Sequence, residues 1–377
     1  MSETFTRTGA AALRERAVKE NTVTRGDALV RDYIEQLEAY YASPATSYYD
    51  DAISRKFYEQ KLRYLRYRPL PDDGLITFGA SGTALCDRQI AFKHGGIKPK
   101  KSADIPFRGR QRRVGNAIVD YVQLDLVHMK KRLGAIANFT MAEVGDAESG
   151  VEWLLEDAAQ ARRTFEYPHP ETGELVKFAI TAKPDGILDY RPDGSRVIFE
   201  FKTKATGLRV MNSKLDYSGA DPKHIRQVIA ETLVFGINEA LIVYESTAKP
   251  SWNDDTDNPN VTKGQKTWDN GNPRPDVRAF YVNVTNEMKG QLLADLARQA
   301  ALVYAVRNGG PAPDVTVDML DGCSFCQFGE HCRATISVEN LASLGRIESS
   351  MAASQMAGKS DHRRLSAYLA VSEACGK

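Results

Sequence analysis

The sequence predicts an α/β protein, and three observations support this class. Apolar residues recur at spacings of three to four over about residues 9–68 and again from Val114 to Leu133, which indicates helices. From about 162 to 203 the pattern is that of strands. A helix, two strands and a second helix then follow, at about 222–236, 239–246, 277–284 and 286–307.

Composition and charge limit the classes of function. A chain of 377 residues is expected to form two or three packed units. With 50 Lys plus Arg against 49 Asp plus Glu, any site for a polyanion has to be a local patch. No uncharged apolar run approaches about 18 residues, which argues against a membrane span, and the first residues lack the apolar stretch of a secretory signal. We therefore expect a cytoplasmic protein whose cysteines do not form a disulfide framework.

The basic residues are concentrated in two segments, KHGGIKPKK (93–101) and RGRQRR (108–113). Ser81 is the expected N-cap of a helix that carries Cys86, and the second basic segment leads into the helix that starts near Val114. Basic residues before a helix N-terminus favour phosphate binding, although a solubilising loop is the alternative. The candidate phosphate-binding residues are Arg88, Lys93, Lys100, Lys101, Arg108, Arg110, Arg112 and Arg113.

Four of the five cysteines suggest a metal site. Cys323, Cys326 and Cys332 form a C-x2-C-x5-C pattern, and Cys86 lies far upstream. Four thiolates with one close pair suit a tetrahedral metal site or a cubane iron–sulfur cluster. The alternative is that they are small buried apolar residues. Cys375, near the C-terminus, is expected to take no part.

Residues 180–206 carry the most informative pattern. Asp193-Gly194 between two apolar runs predicts a two-residue hairpin, with Asp185 opposite Lys202. Because side chains alternate along a strand, one face receives Val197, Phe199 and Phe201, and the other receives Asp185, Glu200 and Lys202.

Two carboxylates at about 5–8 Å from each other could bind one hard cation, for which Mg²⁺ or Mn²⁺ is the natural choice. Such a metal can activate water and neutralise charge on a phosphate, with Lys202 positioning the water or stabilising the transition state. The alternative is an exposed hairpin with a weak Asp–Lys ion pair.

The order of these pieces resembles the PD-(D/E)XK nuclease superfamily. The resemblance consists of Pro184-Asp185, then Glu200-Phe201-Lys202, then a helix that carries Gln227. With the split cysteine pattern, the chain resembles the iron–sulfur RecB-like exonucleases, which include CRISPR-associated and phage types, over about residues 80–335. The resemblance implies a restriction-endonuclease-like mixed sheet flanked by helices in a nuclease domain at 76–335. It leaves a helical N-terminal region at 1–75 and a helical tail at 336–377.

The resemblance also implies roles for particular residues. Asp185 and Glu200 would bind Mg²⁺ or Mn²⁺ together with the backbone carbonyl of Phe201. Lys202 would be the catalytic lysine, and Gln227 would match the glutamine of the family's Q-x3-Y motif. The ligands of a 4Fe–4S cluster that holds the domain together would be Cys86, Cys323, Cys326 and Cys332.

The sequence departs from the family at two positions. The helix before the strands has Val119, followed by Asp120, where a metal-binding histidine is usual, and Glu231 replaces the tyrosine of Q-x3-Y. Asp120 is a candidate to fill the gap, and Glu166 is a further candidate ligand or an exposed strand residue. His224, one turn before Gln227, either contacts phosphate or caps its helix.

The function that these features imply is a metal-dependent DNA exonuclease, a hydrolase of phosphodiester bonds that acts on ends or single strands. Its expected partner is DNA, and relatives suggest oligomers and protein partners in recombination, repair, phage or CRISPR systems. Two alternatives stay open: a catalytically weak DNA-binding protein on the nuclease scaffold, and a zinc-stabilised four-cysteine interaction protein.

Overall fold

The computed structural model describes residues 23–43, 49–65, 73–99, 106–145, 150–249, 275–354 and 359–375. Its helices are α1 (Val23–Ala42), α2 (Asp51–Tyr64), α3 (Asp87–His94), α4 (Pro106–Leu133), α5 (Leu208–Ser218), α6 (Pro222–Phe235), α7 (Asn286–Arg307), α8 (Gly329–Ala334), α9 (Val338–Ala353) and α10 (Ser360–Cys375). Its strands are β1 (Thr77–Gly79), β2 (Phe139–Met141), β3 (Glu143–Val144), β4 (Glu152–Trp153), β5 (Ala161–Pro168), β6 (Leu175–Ala182), β7 (Gly186–Tyr190), β8 (Ser195–Lys204), β9 (Glu239–Ser246) and β10 (Val277–Asn283).

A five-stranded mixed sheet lies at the centre, in the order β10-β9-β8-β7-β2. β8 and β9 are parallel, and the other neighbouring pairs are antiparallel. A three-stranded sheet, β1-β6-β5, and the small β3–β4 pair complete the strands. The predicted α/β class with a mixed sheet flanked by helices is confirmed. None of the described helices combines the length and the apolar character needed to span a membrane.

The central sheet is buried on both faces. Val197, Phe199 and Phe201 of β8 share one face, as predicted, and belong to an apolar core with α1 and α4. Ile198 lies on the opposite face, in a second core with α6 and α7. Because side chains alternate, Glu200 and Lys202 share the face of Ile198. The candidate site therefore lies between the sheet and α6.

The β7–β8 hairpin has a different turn from the predicted one. Tyr190 pairs with Ser195, so the loop has four residues, 191–194, and Gly186 lies opposite Phe199. Tyr190 is buried and its hydroxyl donates to Asp32 at 2.6 Å, which holds the end of the strand. Gly194 takes the left-handed conformation, with a φ of 73°. The register differs from the prediction by two residues, and an even shift leaves each side chain on its predicted face.

Several helix boundaries also differ from those expected. The single helical region before residue 69 is two helices in the described part, α1 and α2. Ser81 lies in a 3₁₀ turn, Ala80–Gly82, and Cys86 occupies the N-cap position of α3. α4 begins at Pro106, whose fixed φ suits a first helical position. The segment RGRQRR therefore lies within the first turns of α4 and not in a loop before it.

The described residues of the C-terminal part are mostly helical. α9 and α10 pack with the 3₁₀ segment Val317–Phe325 around a small apolar core that includes Leu344 and Leu365. Most of the Asp- and Asn-rich insert at 248–276, together with Lys100 and Lys101, lies outside the described residues.

Candidate active site

The three predicted catalytic side chains come together where β7 begins and β8 ends. Asp185 directly precedes β7, and its carboxylate accepts a hydrogen bond from the backbone N–H of Phe201 at 2.7 Å. Glu200 is 1% exposed. The Lys202 ammonium forms an ion pair with the Glu200 carboxylate. Hydrogen bonds across two adjacent strands thus bring the Asp, Glu and Lys of the motif into one network.

Gln227, on α6, connects this network. Its side-chain N–H₂ donates to Oε1 of Glu200 at 2.7 Å, and its Oε1 lies 3.3 Å from Nζ of Lys202. α6 is held at its start by Asp221, whose side chain accepts from the Lys223 N–H at 3.0 Å, and by Pro222 in the first turn. The helix therefore presents one amide that orients both the carboxylate and the lysine.

Glu231 is a member of the network that the sequence analysis treated only as a departure from the family. It is 0% exposed, and its Oε1 accepts from the Gln227 amide at 2.9 Å. The spacing of four residues from Gln227 on a helix places both side chains on the same face. That spacing was the signal that could have identified Glu231 from the sequence.

Burial and crowding of like charges raise the pKa values of the acids. Burial and then the Glu200 charge raise the pKa of Asp185 well above its usual value, and the same two causes act on Glu231. Burial also raises the pKa of Glu200. For Lys202, burial alone would lower the pKa, but the charges of Glu200 and Asp185 outweigh it, and the pKa is raised. The site keeps a charged lysine among carboxyl groups that resist ionisation.

The oxygen atoms of the site fit a hard divalent cation. Oε2 of Glu200, Oε2 of Glu231 and Oε1 of Gln123 are buried, with no hydrogen-bond partner among the described residues. Carboxyl and amide oxygens without hydrogen-bond partners are the kind of ligand that Mg²⁺ or Mn²⁺ prefers. Within the part of the chain that the structure describes, no three His, Cys, Asp or Glu side chains are arranged so that they could hold a metal ion.

The residue of α4 that contacts the site differs from the residue that the sequence analysis expected there. A side chain at Gly115 would come within 3.1 Å of the Thr203 hydroxyl, so this glycine allows α4 to lie close to β8. Val119 packs against the core shared by α1 and the sheet, and Asp120 is exposed and paired with Lys61. Asp120 therefore does not fill the position of the missing histidine. One turn after Val119, Gln123 donates to the backbone carbonyl of Asp185 at 2.8 Å.

The four cysteines of the predicted cluster lie near one another. Burial raises the pKa of Cys86 to about 11, and the charges of Cys326 and Cys332 add to the effect. Burial raises the pKa of Cys323 to about 12, with contributions from the other three thiols. All four are free and half-buried. The structure thus brings the upstream cysteine to the C-x2-C-x5-C segment, although the thiols of the described residues do not form a set of metal ligands.

Arg88 has a structural role, and its prediction as a DNA-binding residue is wrong. It is 2% exposed, and its guanidinium donates to the carbonyls of Pro313 at 2.6 Å and Cys332 at 3.0 Å. Its Nε lies 3.2 Å from Sγ of Cys332. Because Arg88 is buried and its guanidinium donates to these groups, it is not a surface residue that a DNA phosphate could contact.

The other described basic candidates are at the surface. Lys93, Arg108, Arg110, Arg112 and Arg113 are exposed. The four arginines lie in the first two turns of α4, where the first turn has no acidic residue. Positive side chains oppose the helix dipole at this end, and a bound anion would relieve that cost. Glu166 is an exposed residue of β5. It remains without a role in the site.

Known proteins resemble this chain only distantly. No protein-family model matches the sequence, and no curated protein is similar to it. Among solved structures, SSO0001 is 14% identical, with a TM-score of 0.36 over 76% of this chain and 95% of its own. An alkaline exonuclease from Laribacter hongkongensis is 13% identical, with a TM-score of 0.32 over 62% of this chain and 92% of its own. Rai1 from Scheffersomyces stipitis is 14% identical, with a TM-score of 0.22 over 70% and 68%. At scores this low no function can be transferred, and the site residues have to indicate it.

Proposed function

We propose that this chain is a metal-dependent nuclease that hydrolyses DNA from ends or in single strands. The observation that supports the proposal most strongly is the buried network of Asp185, Glu200, Lys202 and Gln227. A charged lysine and three carboxyl groups with raised pKa values are costly to bury. An ion pair with a purely structural role would require only one carboxylate beside the lysine. Such groups are typical of a site that binds a metal and a phosphate.

Asp185 and Glu200 would hold Mg²⁺ or Mn²⁺, with the Phe201 carbonyl as a further ligand. When bound, the metal supplies an activated water and neutralises charge on the phosphate. The Lys202 ammonium then holds the attacking water or the developing negative charge, and it stays protonated because its pKa is raised. Gln227 keeps Lys202 and Glu200 in fixed relative positions.

The DNA would approach along the first turns of α4. The arginines at 108, 110, 112 and 113 are exposed and would bind phosphates in a salt-dependent way. The same helix reaches the catalytic network by Gln123. One helix would therefore connect the DNA-binding surface to the site of cleavage.

The four cysteines would ligate a 4Fe–4S cluster whose role is structural. Cys86 and the C-x2-C-x5-C segment come from distant parts of the described chain and meet around Arg88. A cluster would bind these segments to each other, and a zinc ion in its place is the alternative. The Arg88 guanidinium beside Cys332 favours a negatively charged sulfur ligand.

Digestion of end-labelled single- and double-stranded DNA in Mn²⁺, Mg²⁺ or EDTA tests the proposal, with wild type and Lys202→Ala compared. We expect metal-dependent loss of label in the wild type alone, and the product ladder gives the polarity. DNA binding without cleavage in the presence of either metal would overturn the proposal. It would indicate instead a DNA-binding protein that keeps the nuclease fold but not its activity.

A further inference from the structure

A second group of donors lies beside the catalytic network, where β8 ends and α6 begins. It consists of Lys204, Lys214 and His224, and we call it the His224 cluster. Lys204 follows Lys202 by two residues on β8, so both side chains leave the same face of the sheet. Tyr244 lies opposite Lys202 on β9, and Nζ of Lys204 is 4.8 Å from the centre of the Tyr244 ring.

The hydrogen bonds of Tyr244 determine which nitrogen of His224 carries a proton. The Tyr244 hydroxyl oxygen accepts from the backbone N–H of Asp221 at 2.9 Å and lies 2.7 Å from Nδ1 of His224. Tyr244 is 0% exposed, so its hydroxyl proton needs an acceptor, and Nδ1 is the acceptor within reach. His224 therefore carries its ring proton on Nε2 and presents a donor on the side away from Tyr244.

The charges around His224 are almost all positive. Burial, with the charges of Lys202, Lys204 and Lys214, lowers the pKa of His224 to about 4, while Asp221 opposes them. Burial and then the charge of Lys214 and Lys202 also lower the pKa of Lys204, again with Asp221 in opposition. Asp221 is already the N-cap of α6. The start of α6 adds the positive end of its dipole, so the cluster suits an anion.

We propose that the His224 cluster binds the phosphate of the nucleic-acid strand that neighbours the one hydrolysed at Lys202. Two residues along a strand advance about 6.6–6.8 Å, so Lys204 lies too far along β8 to share the phosphate at Lys202 and faces the next one. The Nε2–H of His224 and the Lys204 ammonium donate to the phosphate oxygens. Lys214, on α5, is exposed, and its charge acts on both His224 and Lys204. The identification of this phosphate as the neighbour of the hydrolysed one rests on the proposed function. Binding of a phosphate by the His224 cluster does not itself require cleavage.

DNA oligonucleotides in which single phosphates are replaced by neutral methylphosphonates test this site. Affinity is measured in EDTA with the full chain, so binding is separated from cleavage. In the wild type, we expect a methylphosphonate at one position to weaken binding about tenfold, which corresponds to the loss of one charge-assisted hydrogen bond. In His224→Gln and Lys204→Gln, the same substitution should have a clearly smaller effect, because one of the donors to that phosphate is already lost. Lys130→Gln, at the exposed far end of α4, is the matched control and should retain the wild-type pattern.

Tyr244→Phe provides a second variant, since it keeps His224 but removes the hydroxyl that fixes the Nε2–H form. It should weaken the response at the same position, and the ¹⁵N signals of His224 should show loss of the Nε2–H tautomer. Methylphosphonate patterns identical in the wild type and all three variants, or no sensitive position in the wild type, would overturn the proposal. An intact pattern in a protein that never cleaves DNA would contradict only the proposed function.

Discussion

The catalytic network and the cysteine region both collect residues from distant parts of the sequence, but by different means. In the network, backbone pairing of β7 with β8 and the position of α6 place Asp185, Glu200 and Gln227 within hydrogen-bond distance. In the cysteine region, the described thiols come near one another without forming ligand geometry, and Cys332 bonds mainly to Arg88 and Tyr368.

The difference reflects the cores beneath the two regions. The central sheet is covered on both faces by large apolar cores, which hold the proposed catalytic side chains in place. Among the described residues, the core under the cysteines has five buried apolar members: Val315, Leu320, Leu344, Leu365 and Tyr368. A small core supplies little stability by itself, so we expect a bound cluster to matter for folding there and a bound metal to matter for chemistry at the sheet.

The largest effect is expected from Asp185→Asn. The substitution removes a charge but leaves an oxygen that can accept from the Phe201 N–H, so the fold should survive. Cleavage should fall by at least about 100-fold, measured as the initial rate on end-labelled DNA in Mn²⁺, while DNA affinity in EDTA stays unchanged. Asp189→Asn is the control, since Asp189 lies on β7, four residues after Asp185, and pairs with Arg196 at the surface. A wild-type rate in Asp185→Asn would remove this residue from the site.

Cys326→Ser should lower stability more than activity per folded molecule. Loss of a cluster ligand is expected to reduce Tm by roughly 5–10 °C, because each kcal/mol shifts Tm by about 2–4 °C in a domain of this size. Calorimetry, iron and sulfide content, and absorbance at about 400 nm check it, with Cys375→Ser as the control. A colourless wild type that contains zinc would contradict the cluster, and an unchanged Tm in Cys326→Ser would contradict its structural role.

Replacing Arg110 and Arg113 together by Ala should weaken DNA binding at the start of α4. For duplex DNA, the slope of log affinity against log salt should become shallower by about 0.9 for each phosphate that the protein no longer neutralises. Binding titrations at several salt concentrations measure it. The control is the double variant Lys130→Ala with Lys131→Ala. Both lysines are exposed at the other end of the same helix, where they pair with Glu143 and Asp50. Equal slopes in both double variants would mean that DNA does not bind at the start of α4.

Glu231→Gln should have the smallest effect, on the pH dependence of stability. The folded protein holds the Glu231 proton above the pH at which the unfolded chain loses it, because burial and the Glu200 charge raise its pKa. The unfolding free energy of the wild type in EDTA should therefore fall, relative to Glu231→Gln, as pH rises from about 4.5. Denaturant unfolding at pH 5 to 8 measures the difference, with the exposed Glu166→Gln as control. A difference that does not change with pH would show that Glu231 ionises normally.

The sequence predicted the faces of the hairpin but not its turn. Strand alternation fixes which side chains share a face, and an error of two residues in register leaves that unchanged. The turn depends on tertiary contacts: Arg25 pairs with Asp193, and Tyr190 bonds to Asp32. The Asp-Gly pair alone could not show either contact.

Residues whose roles depend on contacts with distant parts of the chain were harder to predict from the sequence. Arg88 was predicted to bind DNA, but its partners lie at 313, 332 and 335. Val119 occupies the position of the expected ligand, whereas the residue that reaches Asp185 is Gln123, one turn later. Only the packing of α4 against β8, which Gly115 permits, decides which turn of the helix meets the site.

The most direct test of the catalytic network is the location of Mn²⁺ by anomalous diffraction from crystals of the full chain soaked in Mn²⁺. We predict a peak between the carboxylates of Asp185 and Glu200, within coordination distance of the Phe201 carbonyl, and its loss in Asp185→Asn. A crystal that binds Mn²⁺ only elsewhere, or a peak that persists in Asp185→Asn, would contradict the assignment of these residues as the metal site of a nuclease.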